Sequence, residues 1–173
     1  LRMAFGLPAW LAPDDDRPDF GQFDWAANGA VGGALATAVL TAYRLPVTDS
    51  LPPTAQFWSQ YVAGGDPDDH AAPALALHLA YGTAAGSAFG VAFRQLWDRR
   101  DDDSRRAYAA LALGTLYGLA LSAVGERVLL DDLLSATLDD VDSLVFHASH
   151  LVYGLSLGSW LAADATVDDV DLR

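Results

Sequence analysis

Four long stretches without a charged residue divide the chain, and short segments rich in Asp and Arg separate them. The stretches cover residues 25–43, 71–93, 107–125 and 144–163, so each is 19 to 23 residues long. An α-helix needs about 20 apolar residues to cross the hydrocarbon core of a bilayer. Because soluble proteins seldom contain four such uncharged helices, the pattern predicts an all-α fold with four transmembrane helices.

The charges between the stretches predict the orientation of the spans. The link 94–106 holds five Arg, whereas each of the other two links holds one. Since positive residues are retained on the cytoplasmic side, we expect this link and both termini in the cytoplasm of a multi-pass cell-membrane protein. The predicted parts of the chain are an N-terminal tail (1–22), a four-span membrane domain (23–163) and an acidic C-terminal tail (164–173).

Each of the two outer links carries a short amphipathic segment. In each segment, four apolar side chains share one face of a helix and polar residues occupy the rest. In the first link these are Phe57, Trp58, Tyr61 and Val62, and in the second they are Leu130, Leu133, Leu134 and Leu138. Both segments therefore predict short helices that lie in the membrane interface with their apolar side towards the lipid.

A ten-residue motif occurs twice, at His78–Ser87 and at His150–Ser159, with six identical positions. Residues 35–39 of the first span also resemble residues 120–124 of the third. A unit of two spans returns the chain to the same side, so both copies keep one orientation and are related by a pseudo-twofold axis along the membrane normal. The sequence thus predicts a four-helix bundle of two parallel-related hairpins. The repeat units are about 25–96 and 107–163.

Every predicted span carries glycines one helical turn apart. Glycine at positions i and i+4 lets two helix backbones approach closely in lipid. This predicts tight packing inside the bundle, homo-oligomerisation or docking to another membrane protein, and the sequence leaves these three open. The helix-packing candidates are Gly29, Gly33, Gly82, Gly86, Gly90, Gly114, Gly118, Gly154 and Gly158.

Composition adds a prediction about the environment of the protein. The net charge is −13 although 52% of the residues are hydrophobic, and all ten cationic residues are Arg. A solvated surface of Asp stays soluble in high salt, which favours a halophilic source. The absence of Cys excludes disulfides and thiolate metal sites. The acidic balance argues against nucleic acid as a partner, because phosphates need a basic surface.

The order of these motifs resembles a known family. After the first span come Pro52-Pro53-Thr54-Ala55-Gln56-Phe57-Trp58 with Tyr61, then Gly65-Asp66-Pro67, then the two His-Leu-x-Tyr-Gly motifs. This order is similar to that of a family of small four-span membrane proteins of haloarchaea, a domain of unknown function, over about residues 25–163. The resemblance implies a four-span fold and an archaeal, halophilic source, and it implies no activity and no catalytic residues.

His78 and His150 are the first candidates for chemistry, because an ionisable group inside a span is a functional hypothesis by default. Two imidazoles from facing helices can bind one haem iron from opposite sides, which would make the protein a b-type haem carrier. Alternatively, each histidine forms a hydrogen bond across the pseudo-axis to a Tyr, a Ser or the backbone. Tyr81 and Tyr153, three residues after each histidine, are the nearest candidates.

The remaining ionisable candidates lack a full set of partners. His147 lies three residues before His150, and His70 follows several Asp, but neither pattern supplies the ligand set of a known metal site. Glu126, the single Glu, is expected to pair with Arg44 at the end of the first span. No metal site is therefore predicted.

Taken together, the sequence favours a non-enzymatic integral membrane protein. The motifs of hydrolases, P-loop proteins, zinc proteases and dinucleotide-binding proteins are absent. We predict a structural or accessory subunit, surrounded by lipid, that packs in a homo-oligomer or in a larger membrane complex and needs no cofactor. The alternatives are the haem b electron carrier and a small transporter or channel.

Overall fold

The computed structural model describes residues 22–48, 50–97 and 103–167, and these residues are almost entirely helical with no strand among them. This confirms the prediction of an all-α fold. The predicted tails, apart from Gln22 and residues 164–167, and the centre of the link 94–106 lie outside the described residues. The described α-helices are α1 (Gln22–Arg44), α2 (Thr54–Trp58), α3 (Ala71–Trp97), α4 (Asp103–Val124) and α5 (Asp140–Val167).

Four of these helices contain the uncharged stretches of the sequence. Three segments are long and apolar enough to cross a membrane, namely Asp24–Arg44, Pro67–Leu96 and Ser104–Leu134. The first is α1, the second is α3 with the turn before it, and the third is α4 with the turns that follow it. α5 is as long as α3, but it carries two histidines and three serines within residues 144–163.

The outer links 45–70 and 125–139 meet at one end of the long helices, which we call the outer end. In the first link, α2 continues as one π-helical turn, Ser59–Ala63. In the second, α4 runs directly into a π-helical extension, Gly125–Leu134, so the predicted separate interfacial helix is the end of α4. The extension stops at Ser135, which adopts a left-handed conformation with φ of 50°.

Two of the four predicted interfacial leucines of the second link pack against protein in the structure, whereas Leu133 is exposed. Leu130 and Leu134 are buried against Phe146 of α5, and Phe57 of the first link packs on the same cluster. We expected these leucines to lie on the membrane surface; they face inward because the extension folds over α5.

Two hydrogen bonds join the links directly. Gln56 Nε2 donates to the carbonyl oxygen of Leu134 over 3.3 Å, and the Tyr61 hydroxyl donates to that of Leu133 over 2.7 Å. The two links therefore form one cover over the outer end.

Five glycines form a seam between α1 and α3. A Cβ atom added to Gly33 would lie 2.8 Å from Gly86 Cα, and one added to Gly90 would lie 3.0 Å from Gly29 Cα. A Cβ atom at Gly82 would collide with the Thr37 hydroxyl. Because ordinary contacts between carbon atoms measure about 3.5–4.0 Å, these backbones are close enough to exclude any side chain.

A second glycine seam joins α4 and α5. A Cβ atom at Gly114 would lie 2.8 Å from Gly158 Cα, and one at Gly118 would lie 2.9 Å from Gly154 Cα. The structure thus brings all nine predicted packing glycines to contacts inside the chain, within each hairpin.

The register of the two hairpins differs from the one expected from the short sequence similarity. Gly33 lies opposite the first two glycines of α3, and Gly114 lies opposite both glycines of α5. Gly33 and Gly114 are therefore equivalent positions, 81 residues apart, and the first residues of α1 and α4 are also 81 residues apart. The similar segments 35–39 and 120–124 are instead 85 residues apart. The two offsets differ by four residues, which is about one helical turn. The backbone contacts of the glycines therefore determine the register of the hairpins, and the similarity of the small apolar residues does not.

The long helices pack unequally. α1 lies closely on α3, and α4 on α5, while α1 also packs on α5. α3 and α4 are farther apart and meet through the Tyr117 ring, which stacks on Phe89 and donates to the carbonyl oxygen of Ala85 over 2.9 Å. A strict pseudo-twofold axis would make the α1–α5 and α3–α4 contacts equivalent. Between the helices the space is filled by apolar side chains, among which Phe93, Leu157 and Leu161 are fully buried.

Candidate functional site

The two predicted histidines line one small cavity below the outer end. His78 of α3 and His150 of α5 share it with Thr37, Leu40 and Tyr153. Its volume is about 10 Å³, about the minimum for one water molecule. The structure thus brings His78 and His150, which the sequence predicts on facing helices, to one cavity.

The hydrogen bonds of the pair differ from the predicted ones. His150 Nδ1 donates to the carbonyl oxygen of Phe146 over 2.9 Å, one turn earlier in its own helix. His78 Nε2 is buried without a hydrogen-bond partner. The Tyr153 hydroxyl donates to the carbonyl oxygen of Gly82 over 2.7 Å. It therefore links α5 to the backbone of α3, and the expected bond between histidine and tyrosine is not formed.

This arrangement does not fit a haem between the two imidazoles. A porphyrin is a flat ring many times larger than a water molecule, whereas the cavity between the histidines has room for about one. Tyr153, which lines the same cavity, bonds the α3 backbone at Gly82, so α3 and α5 cannot separate there without breaking that bond. The haem alternative therefore has no observation in its favour.

A chain of hydrogen bonds at the outer end of α4 and α5 was missed in the sequence. His147 bonds Ser122 Oγ through Nδ1 and the Glu126 carboxylate through Nε2, each over 2.8 Å. Ser143 donates to the second oxygen of Glu126 over 2.7 Å. The predicted pairing of Glu126 with Arg44 is wrong, because Glu126 lies four residues after Ser122, on the same helix face, and that face meets His147 of α5.

This serine–histidine–glutamate chain has no access to a substrate. Ser122 is fully buried, and its hydroxyl donates to the carbonyl oxygen of Leu119 over 2.8 Å. A serine nucleophile must reach the bond that it attacks. These hydrogen bonds therefore join α4 and its extension to α5, and we call Ser122, Glu126, Ser143 and His147 together the polar clasp. Among the described residues, no group of three or more His, Asp or Glu is placed to hold a metal ion.

A larger cavity of about 260 Å³ lies under the cover formed by the two outer links. Arg44, the last residue of α1, lines it together with Asp68 and Asp142. The prolines Pro52 and Pro53 and the ring of Phe146 provide apolar walls. The Phe146 ring also packs on the His150 ring, with centroids 4.4 Å apart, so it separates this outer cavity from the histidine pair.

The described residues define an all-helical protein with three helices able to span a membrane. The outward faces of its long helices carry exposed apolar side chains. The chain matches no family model, no curated protein and no solved structure. The resemblance to a haloarchaeal family and the halophilic source therefore stay predictions.

Proposed function

We propose that α1, α3, α4 and α5 each cross the membrane, with both termini and the link 94–106 in the cytoplasm. Three of the four segments have the required length and apolarity. α5 repeats the motif of α3 and packs closely on α1 and α4, so it belongs in the same layer. The Arg-rich link supports the orientation.

Within that membrane layer, the protein acts as a small accessory subunit that associates through the outward face of α3. Its glycines are occupied by contacts inside the chain and are not free for a partner. α3 carries a second row of small residues at four-residue spacing, and every one of them is exposed. These are Ala72, Ala76, Ala80, Ala84, Ala88 and Ala92.

The internal repeat supports a docking role for this alanine row. Seventy-two residues later, the equivalent row of α5 packs against α1: Trp160 of that row bonds Asn28 over 2.7 Å and lies on Gly32. The row on α3 would use α4 in the same way, but α4 meets α3 through Tyr117, at Ala85 and Phe89, and leaves the row exposed. The alanine row is thus the uncovered counterpart of a helix contact that the other half of the chain makes.

The partner that fits this face best is a second copy of the chain. Alanines at four-residue spacing let two helices approach closely, and the same row on both copies gives an isologous, self-complementary contact. Transport through a single copy is less well supported, because Phe93, Leu157 and Leu161 fill the space between its helices. A non-catalytic role is supported by the complete burial of Ser122 in the polar clasp.

Disulfide trapping tests the proposal, because the chain has no Cys of its own. In membranes, Ala84→Cys should form a cross-linked dimer on oxidation. Leu35→Cys, on the exposed face of α1, is the matched control and should stay monomeric. In detergent, Ala84→Leu should shift the dimer towards monomer.

If Ala84→Cys does not cross-link and the wild-type protein is monomeric in membranes, self-association through α3 is wrong. Cross-linking of Ala84→Cys to a different protein would replace the second copy by a subunit of a larger complex. Equal cross-linking of both variants would indicate random collision and would also contradict the proposal.

A further inference from the structure

The outer cavity combines a cation, two carboxylates and apolar walls in a space of about 260 Å³. Cavities that hold drug-sized ligands measure about 300–1,000 Å³. This cavity is therefore large enough for a molecule of amino-acid size and too small for a larger ligand.

Arg44 is under-used as a hydrogen-bond donor. A guanidinium offers five N–H donors, yet among the described residues the Arg44 side chain makes one hydrogen bond, from Nη2 to Ser50 Oγ over 3.2 Å. Its Nε has no partner and is closed off from the cavity by burial. No carboxylate of the described residues forms an ion pair with it. The Nη groups of Arg44 are therefore the donors that can face a ligand in the cavity.

The charges opposite Arg44 restrict the ligand further. Asp142 acts on Arg44 electrostatically, and both Asp142 and Asp68 line the same cavity. A simple anion on Arg44 would be repelled by these two carboxylates, and a simple cation near them would be repelled by Arg44. A molecule with both charges satisfies the two sides together.

We propose that the outer cavity binds a small zwitterion, with its anionic group on Arg44 and its cationic group towards Asp142 and Asp68. The walls made by Pro52, Phe146 and neighbouring apolar residues suit a short apolar body between the charges. Free amino acids and the phosphoethanolamine group of a lipid share this chemistry. The proposal is independent of self-association through α3, which lies on a different surface.

Isothermal titration of the full-length protein in detergent tests this proposal with four probes at one salt concentration. L-leucine represents a free zwitterion and phosphoethanolamine a lipid headgroup, while acetate and ethylammonium each carry one of the two charges. We expect L-leucine or phosphoethanolamine to bind and the two single-charge probes not to bind. Binding of phosphoethanolamine alone would identify the headgroup as the ligand.

Two variants and one control complete the test. Arg44→Gln and Asp142→Asn should each weaken binding about tenfold, because each removes one charge-assisted contact. Arg127→Gln, which removes an exposed Arg at the same end, should bind like the wild type. If Arg44→Gln fails to fold, Asp142→Asn decides alone. Absence of binding by both zwitterions, equal binding of acetate, or wild-type binding by the folded variants would overturn the proposal.

Discussion

A methyl group added at Gly86 should push α1 and α3 apart. The Cβ atom of Gly86→Ala would lie 2.5 Å from Gly33 Cα and 2.8 Å from the Gly33 nitrogen, and closer still to the carbonyl oxygen of Gly29. Carbon atoms in ordinary contact are about 3.5–4.0 Å apart, so the helices must separate by about 1 Å. All the near atoms belong to backbone, which has no side-chain rotamer to change.

The magnitude follows from two opposing effects. Overpacking of a filled interior costs about 1–3 kcal/mol. Replacement of Gly by Ala inside a helix favours the helix by about 1 kcal/mol. The difference is a loss of up to about 2 kcal/mol. Because the added atom meets only backbone, we expect Gly86→Ala to lower the free energy of unfolding by an amount in the upper half of that range, although helix propensity alone predicts the opposite sign.

Two further glycines provide a graded series. At Gly158, the equivalent position in the second hairpin, a Cβ atom would lie 2.6 Å from the carbonyl oxygen of Ala110, so Gly158→Ala should cost less than Gly86→Ala. At Gly125 it would meet only the Phe146 ring edge, 3.2 Å away. Gly125→Ala is therefore the matched control and should be nearly neutral.

The assay is reversible unfolding by dodecyl sulfate in mixed micelles, followed by circular dichroism. The predicted order of destabilisation is Gly86→Ala, then Gly158→Ala, then Gly125→Ala. A Gly86→Ala protein as stable as the wild type, or more stable, would refute the backbone contact between α1 and α3.

Three further measurements, on two variants and on the wild-type protein, test the polar groups. Tyr153→Phe removes the bond to the α3 backbone and should cost about 0.6–1 kcal/mol in the same unfolding assay; no loss would contradict that bond. Glu126→Gln should speed hydrogen exchange in the π-helical extension because it weakens the contact of the Glu126 carboxylate with His147, whereas Asp132→Asn, on the exposed side of the extension, should not. The wild-type absorption spectrum should be featureless above 300 nm, and a Soret band that disappears in His78→Ala would show that haem binds after all.

The main elements of the fold could be predicted from the sequence because membrane spans depend on local composition. Each uncharged stretch corresponds to one long helix. About 20 consecutive apolar residues have the length that a helix needs to cross a membrane, so one local pattern predicts both the helix and the span. The glycines spaced one turn apart also predicted close helix contacts, because a residue without a side chain lets any neighbouring helix approach closely. What the glycines contact depends on the register, and the sequence left that open.

The polar site could not be predicted in the same way, because its partners come from different helices. Glu126 was expected near Arg44, since both follow related spans. Ser122 and Glu126 are four residues apart and therefore share one helix face, and both bond His147 of α5. Arg44 lies instead in the wall of the outer cavity. Which helix that face meets is decided by the packing of α4 on α5, and the pattern in one stretch of sequence carries no sign of it.

The two halves of the chain differ most where their equivalent residues differ in size. α1 approaches α5 because Gly32 accommodates the Trp160 ring, which also reaches Asn28. With the register of the glycine seams, the equivalents of Gly32 and Trp160 are Leu113 and Ala88. The small residue has moved to α3. The ring that α4 places against α3 is Tyr117, which stacks on Phe89 and donates to the carbonyl oxygen of Ala85, so the backbones of α3 and α4 lie farther apart than those of α1 and α5. If the α1–α5 and α3–α4 contacts were identical, both would cover the helix faces between the two hairpins. Because the residues at the second contact differ, one face of α3 is left available for a partner.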